Sequence, residues 1–233
     1  MIKIDINFDF RKDSFCEDPD ADSLKLYEIH KILWSKNLPN GNVFIFEILL
    51  IRGKYGRILL KNNLYDNLSS DRMCPHFIGQ CKGKFDSWLT ESENEEFKHI
   101  VRTIGGHIVF PAHKKNGLTI NQARGVNRKI CDRFDLTLEC IRLYYLDESS
   151  PLFDTIFRYD GFFRLFENFE NYINFFLLQD FVNENYHVKF TLPFDNFERS
   201  ALPLNVEEYK LYKTETINQI ERRNNRILVM QER

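Results

Sequence analysis

The sequence predicts an α+β fold, with N-terminal strands forming a small, mainly antiparallel sheet packed against a helical C-terminal half. That expectation rests on where the periodicities fall. Two-residue alternation and a glycine-centred hairpin lie before Phe110, and helical spacing dominates after it. The 233 residues contain no internal repeat and no flexible linker between the halves, so one domain spanning residues 1–233 is expected.

Taken in order, Ile2, Ile4, Ile6 and Phe8 alternate at the strand period. The acidic run Glu17 to Asp22 opens a helix reaching about Ser35, its acids at the start and Lys31 and Lys36 near the end matching the helix dipole. Pro39-Asn40-Gly41 turns the chain. Val43 to Arg52 and Gly56 to Lys61, joined by Gly53-Lys54-Tyr55, read as a hairpin. A short strand is expected around Met73 to Ile78, then a helix over Glu93 to Thr103. Gly105-Gly106 ends that helix and leads into a strand from His107 to Phe110. Beyond it, helices are expected near Gly125 to Asp132, Asp135 to Leu146, after Pro151, within Phe162 to Val182, and from Val206 to Met230.

Composition narrows the function classes. With 22 Phe and 10 Tyr, most rings have to be buried, because exposing them would create aggregating patches. A net charge of −2 argues against a surface basic throughout, while leaving room for a local basic site. The N-terminus has no signal-peptide pattern and no apolar run is long enough to span a membrane. The five scattered cysteines contain no Cys-x-x-Cys pair, which suggests reduced thiols. A cytoplasmic protein without membrane contact is therefore expected.

The chemistry-bearing residues concentrate between Gly105 and Tyr145. Arg124, beside Gly125 and among Asn121, Gln122 and Asn127, can grip a phosphate or carboxylate in a bidentate fork. The competing reading has the asparagines capping turns and Arg124 paired with a nearby acid. Asp135, Glu139 and Arg142 share a helix face and suit either acid–base work or a ladder of ion pairs. His107 and His113, with Lys114 and Lys115, supply the residue types of metal-independent RNA cleavage, a base, an acid and a cation. On a strand, His107 shares a face with Val109 and Pro111, which favours a core or edge histidine. Cys74, His76 and Cys81 lack the fourth ligand and the paired spacing of a zinc site, and Gly105-Gly106 lacks the Lys-Ser/Thr of a phosphate loop. No metal and no cofactor is expected.

IDINFDF, LWSKNLPNG, LSSDRM, GGHIVFP, INQARGVNRKICDRFDLTLECIRLYY and NFENYINFFLLQD together resemble a family of bacterial proteins known only as a domain of unknown function. The likeness covers most of the chain and implies one domain, with no activity or residue role attached. The functional expectation is accordingly a phosphate-bearing ligand, RNA or a nucleotide, bound within residues 107–142. His107, His113 and Glu139 are the catalytic candidates, and Lys114, Asn121, Arg124, Asn127, Asp135 and Arg142 the binding ones. Metal-independent ribonuclease activity and nucleotide transfer through Glu139 are its enzymatic forms. The alternative is a non-catalytic scaffold using the C-terminal helix.

Overall fold

Strands β3 (Phe46–Ile51), β4 (Tyr55–Leu60), β5 (Leu68–Arg72) and β6 (His107–Pro111) form an antiparallel sheet in sequence order. A computed structural model describes residues 4–14, 19–51, 55–60, 68–74, 85–112 and 116–231. A second, two-stranded sheet pairs Lys36–Asn37 (β1) with Val43–Phe44 (β2) across the Pro39-Asn40-Gly41 turn. Helices α1 (Pro19–Asp22) and α2 (Leu24–Trp34) precede the strands, and α3 (Glu91–Ile100) lies between β5 and β6. Then come α4 (Ile120–Val126), α5 (Phe134–Tyr145), α6 (Phe153–Phe157), α7 (Asp160–Phe163), α8 (Phe169–Phe175) and α9 (Val206–Gln231). The architecture is α+β with a helical C-terminal half.

Helix starts follow local chemistry. Ser23 accepts from the Leu26 amide and separates α1 from α2, so the single acidic helix read from the sequence is two. Thr90 with Glu93 and Thr119 with Gln122 form capping boxes that begin α3 and α4.

The aromatic residues fill one buried cluster that draws apolar side chains from Ile4 to Ile227. At its centre Phe166 lies 5.0 Å from Phe175 and 5.2 Å from Phe176, while Trp34 meets Phe176 edge-on at 5.3 Å. Such ring pairs add about 0.5–1.5 kcal/mol each beyond their area.

Several expected boundaries move. Within Ile4 to Phe8 the chain turns rather than extending. The Asp5 carboxylate accepts from the Asn7 amide, the Asp5 carbonyl accepts from Phe8, and the Ile4 amide donates to Gln231 Oε1. A strand lies at Leu68–Arg72, ahead of the one expected at Met73 to Ile78, most of which is outside the described residues. The helix expected at Gly125 to Asp132 instead occupies Ile120–Val126, because Thr119 caps it early. The helical stretch expected within Phe162 to Val182 breaks into the end of α7 and α8, which stops at Phe175.

The first glycine of the pair before β6 lets α9 dock, while the second leaves room for the Val101 backbone. A Cβ on Gly105 would stand 2.5 Å from the Ile220 carbonyl oxygen and 2.6 Å from Asn224 Oδ1. In its absence α9 comes close enough for the Gly105 amide to donate to Asn224 Oδ1 at 2.7 Å, and Asn224 Nδ2 donates to Thr103 Oγ1.

Candidate functional site

Antiparallel register puts Arg72 of β5 directly opposite His107 of β6. Cross-strand partners project to the same face, and alternation adds Ser70 to it. The backbone of this pair is clamped on both strands by buried guanidiniums, one from α4 and one from α9. Arg124 Nη1 donates to the Arg72 carbonyl at 2.9 Å, and its Nη2 donates to the carbonyls of Met73 and Asp132. Its Nε reaches Thr137 Oγ1 at 3.2 Å. Arg223 donates through Nη1 to the carbonyls of His107 and Gly105 and through Nε and Nη2 to that of Phe176.

The side chains of the pair are far less satisfied. Arg72 Nε and Nη1, Arg102 Nε and His107 Nε2 are buried without a hydrogen-bond partner. Arg102 follows α3 and Arg72 ends β5, so separate elements bring these cations together. Burial draws Arg102 down to about 10, and the neighbouring charges of Arg72 and Arg11 add to that. Burial likewise takes His107 down to about 3 against the opposing hydrogen bond from its ring to Thr103, with Arg72, Arg102 and Arg223 pushing further the same way.

Asp20, from α1, faces the cluster. Its Oδ1 lies 3.4 Å from His107 Nε2, and its Oδ2 accepts from the Arg72 amide at 3.1 Å and stands 3.7 Å from Arg72 Nε. A directional chain arrives from behind. Trp34 Nε1, which can only donate, donates to His30 Nδ1 at 2.9 Å. Burial holds His30 neutral, well below its usual pKa, so the ring hydrogen sits on Nε2 and points to Ser70 Oγ at 2.9 Å. The Ser70 hydroxyl then donates to Asp20 Oδ1 at 3.1 Å.

The His107 tautomer follows by the same logic. Its Nδ1 lies 2.8 Å from the Thr103 carbonyl oxygen, so Nδ1 carries the hydrogen. A neutral ring therefore turns an Nε2 lone pair toward Asp20 Oδ1, acceptor to acceptor. That contact requires a proton or a donor group between the two. Phe10 closes one side, its ring edge-on to His107 at 5.4 Å. Arg72 and Asp20, with side chains 16% and 14% exposed, are where the cluster reaches the surface.

On the other face of β5, Asp71 is buried and accepts from Ser69 Oγ. Burial, with Asp20 nearby, raises its carboxyl well above the usual range.

The residues singled out between 107 and 142 are dispersed. Among the described ones, only His107 joins the cluster. His113, Lys114 and Lys115 lie outside the described residues, as do His76 and Cys81. Arg124 is fully buried and its donors end on carbonyls and Thr137, with Asp132 Oδ1 also 3.2 Å from Nε. Asn127 caps the following turn, accepting from the Lys129 amide and donating to the Pro151 carbonyl. Asn121 is exposed on α4. Asp135 is buried against Arg133 and also accepts from the Thr191 amide and hydroxyl. Glu139 is buried and held by Arg142 through two bonds of 2.8 Å, an ion pair that engages both of its oxygens. Asp20, His30, Ser70, Arg72 and Arg102 were not among the candidates. The one motif signal for them was the hydroxyl-rich Ser69-Ser70-Asp71-Arg72 run.

In α9, Tyr209, Tyr212, Ile220 and Ile227 are buried within the chain's own core. Among the described residues, no helix is long and apolar enough to cross a membrane. Comparison with curated proteins and with solved structures returns no match. A family model described as a family of unknown function, DUF6994, matches residues 4–227. The chain belongs to the DUF6994 family.

Proposed function

We propose that this chain binds a phosphate-bearing ligand at the Arg72–Arg102–His107–Asp20 cluster. The observation that carries the reading is the contrast in donor saturation. Buried polar atoms in folded proteins are paired, and the exceptions call for a ligand, water or functional role. Arg124, Arg133 and Arg223 have their guanidiniums taken up by carbonyls, Thr137 and Asp135. Arg72, Arg102 and His107 instead keep buried nitrogens with no hydrogen-bond partner, only Asp20 among the described residues standing within ion-pair distance of Arg72 and His107. A dianionic phosphate supplies what the guanidiniums lack. A hydroxyl on the same ligand supplies the donor that the His107–Asp20 contact lacks.

RNA and nucleotides are the phosphate-bearing classes that fit, in a cytoplasmic setting suggested by the scattered thiols. For RNA cleavage the cluster offers a phosphate clamp and an acceptor pair able to take a hydroxyl proton. The burial that takes His107 down to about 3 makes it a weak base at neutral pH, so the reading favours binding over cleavage.

The test is calorimetric titration of the full chain with inorganic phosphate, AMP, adenosine and a short structured RNA, the RNA also run on a denaturing gel. Saturable binding of phosphate and AMP, absent for adenosine and lost in Arg72→Gln, supports the proposal. Equal binding by wild type and Arg72→Gln, or no binding of any phosphate compound, sinks it. An RNA product band absent in His107→Asn would extend the function to cleavage.

A further inference from the structure

A second, independent site is suggested by a surface depression of 290 Å³ between α5, α6 and the segment from Asp160 to Glu167. That volume sits near the lower end of small-ligand sites, roughly 300–1,000 Å³. Its walls are aromatic. Tyr144 and Tyr145 lie 5.2 Å apart at 69°, and Phe153 and Phe157 stack at 5.9 Å and 17°. Phe157 is 56% exposed, an unusual position for a ring stacked on a neighbour rather than buried in the core.

The rim is acidic. Asp160 is matched by Arg164 and accepts from the Tyr144 hydroxyl. The amides of Asp147 and Glu167 donate to the carbonyls of Tyr144 and Arg164, but their carboxylates have no hydrogen-bond or ion-pair partner among the described residues. Each places its carboxylate there from a left-handed backbone, φ 56° and 67° respectively, which non-glycine residues seldom adopt. Tyr145 donates its hydroxyl to the Phe163 carbonyl. With both phenol hydrogens spent, what the tyrosines present to the depression is ring surface.

We propose that this depression binds an aliphatic ammonium compound, its carbon body against the Tyr144, Tyr145, Phe153 and Phe157 rings and its charge toward Asp147 and Glu167. Ring faces attract cations, and the attraction is stronger where water is partly excluded. Two unmatched carboxylates supply the opposite charge and disfavour anionic ligands. Such a cation can be a quaternary ammonium or a polyamine; both use the same rings and differ in how far they use the acids.

The test is calorimetry of the full chain with tetramethylammonium, choline and spermidine, against sodium chloride at matched ionic strength. Phe157→Ala and Glu167→Gln serve as variants, with melting curves confirming that both fold. Saturable binding of at least one organic cation, weakened about fivefold or more in Phe157→Ala, is expected. Glu167→Gln should weaken spermidine more than choline. No saturable binding of any of the three, binding matched by sodium, or binding unchanged in both variants overturns the proposal.

Discussion

His107 Nε2 stands 3.4 Å from Asp20 Oδ1 while its Nδ1 is held by the Thr103 carbonyl, so two acceptors face one another inside a cluster of cations. The geometry has a direct pH consequence. His30 and His107 are both buried and both held below the ordinary histidine value of 6.5, His107 at about 3. An unfolded chain takes up protons on these rings below pH 6.5 and the folded one does not. Stability is therefore fully present above pH 6.5 and falls as pH drops below it. The limiting slope for two protons is about 2.7 kcal/mol per pH unit. Urea midpoints measured from pH 7.5 to 5 should fall steadily in wild type and less steeply in His30→Gln. A midpoint that stays flat over that range would show that the rings titrate freely in the folded state.

Arg124 gives an opposite kind of expectation. As a ligand-binding residue it would be replaceable at little cost to folding. Its donors are instead fixed on the carbonyls of Arg72, Met73 and Asp132. Arg124→Met strands those carbonyls at about 1–3 kcal/mol each. A loss of at least about 3 kcal/mol is expected, or some 6–12 °C in melting temperature. A melting temperature within about 2 °C of wild type would return Arg124 to the list of site residues.

Gly105 tests the docking of α9. An added methyl would enter the space of the Ile220 carbonyl and Asn224 Oδ1, where both neighbours are buried and hydrogen-bonded. Gly105→Ala should cost about 3 kcal/mol or more, since overpacking and a lost amide bond act together. Because Arg223 also reaches the Gly105 and His107 carbonyls from α9, the loss should include faster amide exchange in β6. Exchange protection in β6 identical to wild type would disprove that coupling.

Asp135 sets the acid limit. Burial raises its carboxyl, but the Arg133 charge and bonds from Arg133 and Thr191 outweigh that and leave it below 3.8. A lowered carboxyl pKa stabilises the fold above the unfolded value and loses that contribution as pH falls through the folded one. Asp135→Asn should therefore be less stable than wild type at pH 7, with the gap narrowing below pH 3.8. A gap that is unchanged at pH 3 would contradict the assignment.

Much of the fold was legible because its elements carry ordinary local signals. The hairpin, the His107 strand, α5 and α9 each combine a clear period with recognisable ends. The strand at Leu68–Arg72 is placed too late by the sequence, at Met73 to Ile78, because Ser69-Ser70-Asp71-Arg72 is polar on both faces and reads equally as a strand end or a turn. That segment becomes a strand by burying those groups against Asp20, His30 and the elements on its other face. The site was legible only at His107. Its companions come from α1, α2, β5 and the end of α3, and only strand register and helix docking unite them. Local sequence also left Arg124 ambiguous, since an arginine among donors and acids looks alike whether it faces a cleft or caps a strand.

The most direct measurement is the melting temperature of wild type and Arg102→Met, each with and without inorganic phosphate. Arg102 is buried beside other cations with Nε unpartnered, so methionine should keep its packing and relieve repulsion. The expected result is an unliganded Arg102→Met at least as stable as wild type, with the phosphate-induced rise seen in wild type abolished. A variant that melts several degrees lower, with the phosphate response unchanged, would mean that Arg102 is scaffold and that the cluster is no anion site.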